Sequence, residues 1–429
     1  MKIAIVADDI TGANDSGVQL ARHGLKTAVL FDIDEENVKN YEAVVYDTDS
    51  RSINKVEAYN KVKQVVLSLK NAGFTNIFKK LDSTMRGNIG AEIDAVYDVL
   101  IPDFVMIAPG YPKNNRTILN SVHYLNGVPL GESEIAKDPK TPVTVSSLTE
   151  LLENQTAQRI ETITVNDLAL GKNHIEEMLK KFYNEKIPYI IVDSTEEAHL
   201  QQILNDTKDL PYHFAWAGSA GIANYLPAYY EIRETTQTLH IPNNEGPILT
   251  VIGSVNKNSR SQLKNLLDQP NLHSIAFESF KAVSSQIERI EEIERVYNEA
   301  IQKASEGLDI VIYSTAEKED IEKAWKTGNK QNLSKTEISN EIVKALGSIC
   351  SSLLKEGIFK GYSLTGGDTA KQFCLLSDIK GFELLDEIEI GVPISKFLGI
   401  DDVYVVTKAG GFGTEQVFIN ALQKLKGEQ

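Results

Sequence analysis

The chain is poor in cysteine, in long apolar runs and in positive charge. Only two cysteines, Cys350 and Cys374, occur in 429 residues. They lack CxxC spacing, which excludes a disulfide framework and fits a reducing compartment. No apolar run approaches the length of a membrane span. The opening MKIAIVADDI meets two aspartates after a short apolar stretch, unlike a secretory signal. A cytoplasmic protein with no membrane partner is therefore expected. The formal charge of -16 argues against nucleic acid, which needs a clustered basic surface. It also means that local groups must hold any anionic ligand against an unfavourable long-range field. Other signatures are missing too. Without GxxxxGK[ST] the chain is not a P-loop enzyme, and without GxGxxG after the first strand a nicotinamide dehydrogenase is disfavoured. HRD, DFG, GxSxG and zinc-ligand spacings are absent as well. The seven histidines show no HxxxH pairing and read as structural or surface residues; only His123, inside a hairpin, stands apart from the rest.

What is present is an apolar strand, a turn and an amphipathic helix, repeated. The length exceeds what one core usually organises, and 42% hydrophobic content is ordinary for globular chains. Strands are expected at Lys2–Ala7, Thr27–Phe31, Ala43–Tyr46, Ile77–Leu81, Phe104–Ala108, Ile160–Val165 and Tyr189–Val192. Helical spacing marks Val56–Leu69. Ser147 with Glu150 has the form of a capping box, and Asn126-Gly127 signals a hairpin. From Glu231 to Pro247 the pattern lapses into polar, turn-rich sequence. It then restarts, with strands at Ile248–Ile252, Ser274–Phe277, Ile310–Tyr313, Tyr362–Leu364 and Val403–Thr407, and helices at Ser259–Leu267 and from Ser285 to about Ser305. The reading is α/β: two domains with largely parallel sheets, at 1–235 and 248–429, joined by a linker at 236–247.

In open parallel sheets, ligands bind beyond the carboxyl ends of strands, so polar residues directly after strands matter most. The first half has Asp8-Asp9, Asp47–Arg51 (DTDSR), Asp82–Gly90 (DSTMRGNIG) and Pro109–Thr117 (PGYPKNNRT), which includes Arg116. Carboxylates, hydroxyls and arginine forks suit a small polyhydroxy acid. The second half has Gly253–Ser259 (GSVNKNS), Thr365–Thr369 (TGGDT) and Lys408–Thr414 (KAGGFGT). Exposed N–H groups at such helix starts can cradle phosphates. Each signal has a plainer alternative. Asp8 and Asp9 could cap a helix, Arg86 could be a surface ion-pair partner, and Ser254 could be a turn residue. The glycine pairs could serve tight turns alone.

The segments IVADDITGANDSG, KKLDSTMRGNIGAEIDAV, APGYPKNNRT…VHYLNGVPL…DPKTPV, SLTGGDTA and VVTKAGGFGTE resemble, in order and end to end, the four-carbon acid sugar kinases. That resemblance implies an N-terminal substrate domain and a C-terminal nucleotide domain. It further implies ATP-dependent phosphorylation of the terminal hydroxyl of threonate, erythronate or 3-oxo-tetronate. Carried over by motif, Ser254, Gly366, Gly367, Asp368, Thr369 and Gly410 are the ATP-contacting positions. Asp8, Asp9, Arg51, Lys80, Asp82, Arg86 and Arg116 form the acid-sugar side. The chain departs from the family at KAGGFG, where KSGNFG is common, and at APGYPKNNRT, where APAFPANGRT is more usual.

The mechanism expected from both lines has Arg86, with N–H groups near Gly90, holding the substrate carboxylate. Asp9, with Asp82 as second choice, accepts the proton of the attacking hydroxyl. Mg²⁺ is bound mainly through the ATP phosphates and water rather than by a protein metal site. Domain closure excludes water as a competing acceptor. A homodimer is the commonest assembly of soluble enzymes. The first alternative is a cytoplasmic sugar-acid binding or sensor protein without phosphoryl transfer, and the second is a hydroxy-acid dehydrogenase.

Overall fold

The computed structural model describes residues 2–31, 38–138, 141–232, 239, 241–243 and 245–428. Its contacts cluster into two units, Met1–Gln237 and Thr238–Gln429. The expected linker at 236–247 lies partly outside the described residues. Among the described residues no helix is long and apolar enough to cross a membrane.

The first unit is built on β1 (Ile3–Ala7), β2 (Thr27–Leu30), β3 (Ala43–Asp47), β4 (Asn76–Lys80) and β5 (Phe104–Ala108). A small antiparallel sheet follows, of β6 (Arg116–Leu119), β7 (Val122–Leu125) and β8 (Val128–Pro129). β9 (Ile160–Ile163), β10 (Tyr189–Val192) and β11 (Phe214–Gly218) complete the main sheet, whose order is β2-β3-β1-β4-β11-β5-β10-β9. Every pairing in that order is parallel. All of β1 and β3 is buried, as expected of strands covered on both faces. The chain runs from β1 outward to β2 and β3, then returns to β4 on the other side of β1. The crevice beyond β1 and β4 is therefore a topological switch point.

The second unit contains β12 (Ile248–Ile252), β13 (Leu272–Phe277), β14 (Asp309–Ser314), β15 (Gly361–Thr365), β16 (Gly381–Glu389), β17 (Val392–Phe397) and β18 (Tyr404–Lys408). Their order is β13-β14-β12-β15-β18-β17-β16, parallel as far as β18 and antiparallel from β18 to β16. Its switch point lies beyond β12 and β15. Ile248, Ile252, Val311, Val406 and Phe418 belong to one hydrophobic core of this unit.

Local chemistry explains the elements. Helix Lys55–Asn71 starts where Asn54 accepts from the Glu57 N–H, and helix Leu148–Glu153 where Ser147 accepts from that of Glu150. Helix Gln286–Ser305 begins with a full capping box of Ser285 and Glu288. Asn126 and Gly127 both have positive φ and turn β7 into β8, the geometry an Asn-Gly hairpin demands. β6, β11, β16 and β17 are strands beyond those the sequence pattern predicts.

Candidate active site

At the end of β1, Asp9 caps helix Ile10–Arg22, its Oδ1 accepting the Gly12 N–H at 2.9 Å. Its other oxygen receives Arg51 Nη1 at 2.7 Å. The cap is thus real, and the same carboxylate is also held by a guanidinium. Arg51 also grips buried Asp8 bidentately, Nε at 2.7 Å and Nη2 at 3.1 Å. Asp82, beyond β4, lies 3.6 Å from Arg51 Nη2 and takes a second fork from Arg86, at 2.7 and 3.0 Å. Thr84 Oγ1 donates to the same carboxylate at 2.5 Å. Lys80 is buried and donates to the Leu81 carbonyl at 2.8 Å. A Cβ on Gly12 would sit 2.9 Å from both Lys80 Nζ and Asp9 Oδ1, so only glycine leaves that space open. Asp8, Asp9, Arg51, Lys80, Asp82 and Arg86 are therefore brought together at one switch point. Beneath them lies a fully buried ion pair that the sequence did not reveal, Lys79–Glu92 at 2.7 Å.

The carboxylates are not equivalent. Burial raises Asp9, and the neighbouring Asp8 and Asp82 charges add to that rise against the pull of Arg51 and Lys80. For Asp82 burial acts upward too, but Arg51, Arg86 and Thr84 outweigh it and hold the group well below the carboxylate range. Asp8 is likewise lowered: burial is overcome by Arg51 and Lys79.

Two parts of the expected carboxylate cradle are already engaged. Besides its fork on Asp82, Arg86 donates from Nη1 to Asp138 at 3.2 Å. The Gly90 N–H donates to Gln155 Oε1 at 2.8 Å. A cavity of about 330 Å³ opens here, lined by Arg51, Gly87, Asn88, Thr141 and Gln155 among others. Arg116 stands at the start of β6 and donates from Nη1 to the Asn114 carbonyl at 2.5 Å. Burial lowers it, and Asp82 acts against that. Among the described residues its Nε has no partner.

In the second unit the arrangement is made of backbone. Gly366, with φ of +98°, starts helix Gly367–Leu376, and its N–H donates to the Lys408 carbonyl at 3.0 Å. A Cβ on Gly253 would lie 2.4 Å from Thr369 Oγ1, and one on Gly410 2.6 Å from Ser254 Oγ. Gly253, Ser254, Gly366, Thr369 and Gly410 therefore crowd one place that side chains would fill. Asp368, in the first turn of that helix, is exposed. The turn after β18 is held from behind by helix Lys257–Leu267. Asn258 Nδ2 reaches the Gly411 carbonyl at 3.2 Å, and Gln262 Nε2 those of Phe412, Gly413 and Thr414 at 3.1, 3.0 and 2.8 Å. Lys408 is buried and donates to Ser259 Oγ at 3.2 Å and to the Ala409 and Gly410 carbonyls at 2.9 and 3.1 Å. Burial pushes it down to about 8, against Glu389. The sequence marked Lys408 only as the first residue of its turn, without these contacts, and gave no sign of Gln262.

Comparison with known proteins matches these halves separately. Residues 3–226 fit the model of a sugar-binding N-terminal domain, and 249–418 that of a nucleotide-binding C-terminal domain. This chain belongs to the four-carbon acid sugar kinase family. It is 29% identical to a D-threonate kinase of Salmonella typhimurium over 98% of both chains. It is 27% identical to a D-erythronate kinase of Heliobacterium modesticaldum, covering 96% of this chain and 94% of that one. A 3-oxo-tetronate kinase of Brucella melitensis is 25% identical, covering 100% and 97%. A crystal structure from Salmonella typhimurium LT2 shares the fold with a TM-score of 0.82, at 24% identity over 99% of each chain.

Proposed function

We propose that this chain is an ATP-dependent kinase that phosphorylates the terminal hydroxyl of a four-carbon acid sugar of the threonate, erythronate or 3-oxo-tetronate type. The observation that carries the reading is a contrast between the two switch points. One gathers forked arginines and carboxylates, and the other brings Gly253, Gly366 and Gly410 against the Ser254 and Thr369 hydroxyls at a helix start, where backbone N–H groups could receive a phosphate chain. The nucleotide fits the second on that ground. Gly253, Gly366 and Gly410 would admit its phosphates, Ser254 and Thr369 would supply hydroxyls, and Asp368 would stand at the rim. Mg²⁺, bound mainly through phosphate oxygens and water, would supply charge neutralisation.

On the acid side, Arg116 and Arg86 would hold the substrate carboxylate, with Arg116 offering the unengaged donor. Asp9 would accept the hydroxyl proton. Its raised pKa makes it a better proton acceptor than Asp82, which two guanidinium groups keep ionised. Arg51 orients Asp9, and Lys80 lies beside Asp9 Oδ1 as a positive neighbour for the developing charge. A homodimer working in the cytoplasm completes the reading. The test is ADP release with ATP and Mg²⁺ over a panel of four-carbon acids. Turnover is expected with at least one tetronate and none with nicotinamide cofactors. ATP left intact by the whole panel would overturn the reading.

A further inference from the structure

His123 is fully buried in β7, and among the described residues neither ring nitrogen has a hydrogen-bond partner. Its backbone is fixed, the N–H donating to the Ser146 carbonyl at 2.8 Å. A buried ring with two unmet nitrogens is unusual, because buried polar atoms nearly always find partners. The pairing of the small sheet shows which way it faces. His123 lies opposite Ile118 on β6, and Ile118 lies opposite Ser194, so the three side chains share a face. A Cβ on Gly110 would come within 3.4 Å of Ile118 Cγ1 and would strike Ser194 Oγ. That face therefore looks onto the turn after β5, at the ligand end of the main sheet. The charges that bear on His123 are Asp82 and Arg116, both already placed in the acid-sugar site. Arg116 Nε is a further buried donor without a partner among the described residues.

We infer that His123 is a specificity-determining residue that reads an oxygen at C2 or C3 of the acid sugar, next to the carboxylate held by Arg116. This rests on the kinase reading above. A neutral imidazole carries one donor and one acceptor, so it suits a hydroxyl and, through its N–H alone, a carbonyl oxygen. It reads the part of the substrate in which tetronates and oxo-tetronates differ. The proton transferred in the reaction comes from the terminal hydroxyl, and His123 takes no part in that step.

The test compares wild type with His123→Phe and His123→Leu, using the best tetronate of the panel and its 2-deoxy and 3-deoxy analogues. In wild type, one deoxy analogue should show a KM raised roughly tenfold, the weight of one good buried hydrogen bond. Both variants should raise the KM of the full substrate by a similar factor and lose the discrimination against that analogue. KM for ATP should stay unchanged, and His123→Gln should restore part of the difference. The Leu variant carries the comparison if the Phe variant does not fold. Wild-type turnover with unchanged discrimination in the folded variants overturns the role of His123 and leaves the kinase reading standing. Absence of wild-type turnover overturns both.

Discussion

At the end of β1 the candidate site consists of ionised side chains that hold one another, whereas at the end of β12 it consists of main chain from which side chains are withheld. In the first, Arg51 joins Asp8 and Asp9 and approaches Asp82, which Arg86 joins in turn to Asp138. In the second, the close approaches are made by Gly253 and Gly410, Gly366 adds a positive φ, and polar side chains of helix Lys257–Leu267 hold the turn. A charged network distinguishes ligands by where their oxygens and charges lie. A backbone cradle recognises the phosphate chain common to any nucleotide triphosphate. The two should therefore fail differently: the first when a charge is removed, the second when an atom is added.

The sharpest challenge to this comparison is Asp9→Asn. Asparagine keeps the helix cap, so folding should be retained. If Asp9 accepts the hydroxyl proton as proposed, kcat should fall by roughly 10²–10⁴-fold, with both KM values near normal. Steady-state kinetics decides it. Near-normal turnover in Asp9→Asn together with collapse in Asp82→Asn would exchange the two roles.

A smaller effect is expected from Gly366→Val. The positive φ of Gly366 and the nearby Thr369 make a β-branched residue unfavourable on both counts. A cost of about 1–2 kcal/mol corresponds to a rise in nucleotide KM of roughly tenfold or somewhat more. KM for the acid sugar should not move, and equal weakening of both ligands would erase the distinction between the sites.

The mildest test is pH. Lys408, at about 8, holds the Ala409 and Gly410 carbonyls as an ammonium. Raising the pH from about 7 to about 9.5 should raise nucleotide KM a few-fold, and Lys408→Arg should flatten the profile. Stability should move the other way. Between about 8 and the ordinary lysine value near 10.4 the unfolded chain binds more protons than the folded one, so this residue's contribution rises with pH. A nucleotide KM that ignores pH in wild type would mean that the ammonium does not hold the turn.

Strands that are continuous apolar runs were legible in the sequence, and with them the polar residues that directly follow. That is why Asp8, Asp9, Asp82 and Gly366 stand out from the sequence alone. β11 is short and built partly of Ala and Gly, so its FAWAG lacks a strand-like composition although it lies between β4 and β5. β16 is acidic and its register slips twice against β17, which itself carries Pro393, so neither shows clean alternation. Site residues supplied from elsewhere were the hardest to see. Gln262 lies inside a helix and Asp138 in a loop, and only the folded register brings them to the turn after β18 and to Arg86. For Arg86 the position was legible but the partner was not, since a fork that suits a ligand carboxylate suits Asp82 equally well.

The grip of Gln262 on the turn after β18 acts at a distance. Each peptide unit is planar and trans, so tying down a C=O sets the N–H of the same unit pointing the opposite way. By drawing the Phe412 and Gly413 carbonyls toward helix Lys257–Leu267, Gln262 turns the Gly413 and Thr414 N–H groups outward. Glu389 already shows what such a group attracts, its carboxylate accepting the Thr414 N–H at 2.6 Å and the Thr414 hydroxyl at 3.0 Å. The turn is thus shaped in advance from its rear side, and its rigidity is stored in a neutral amide.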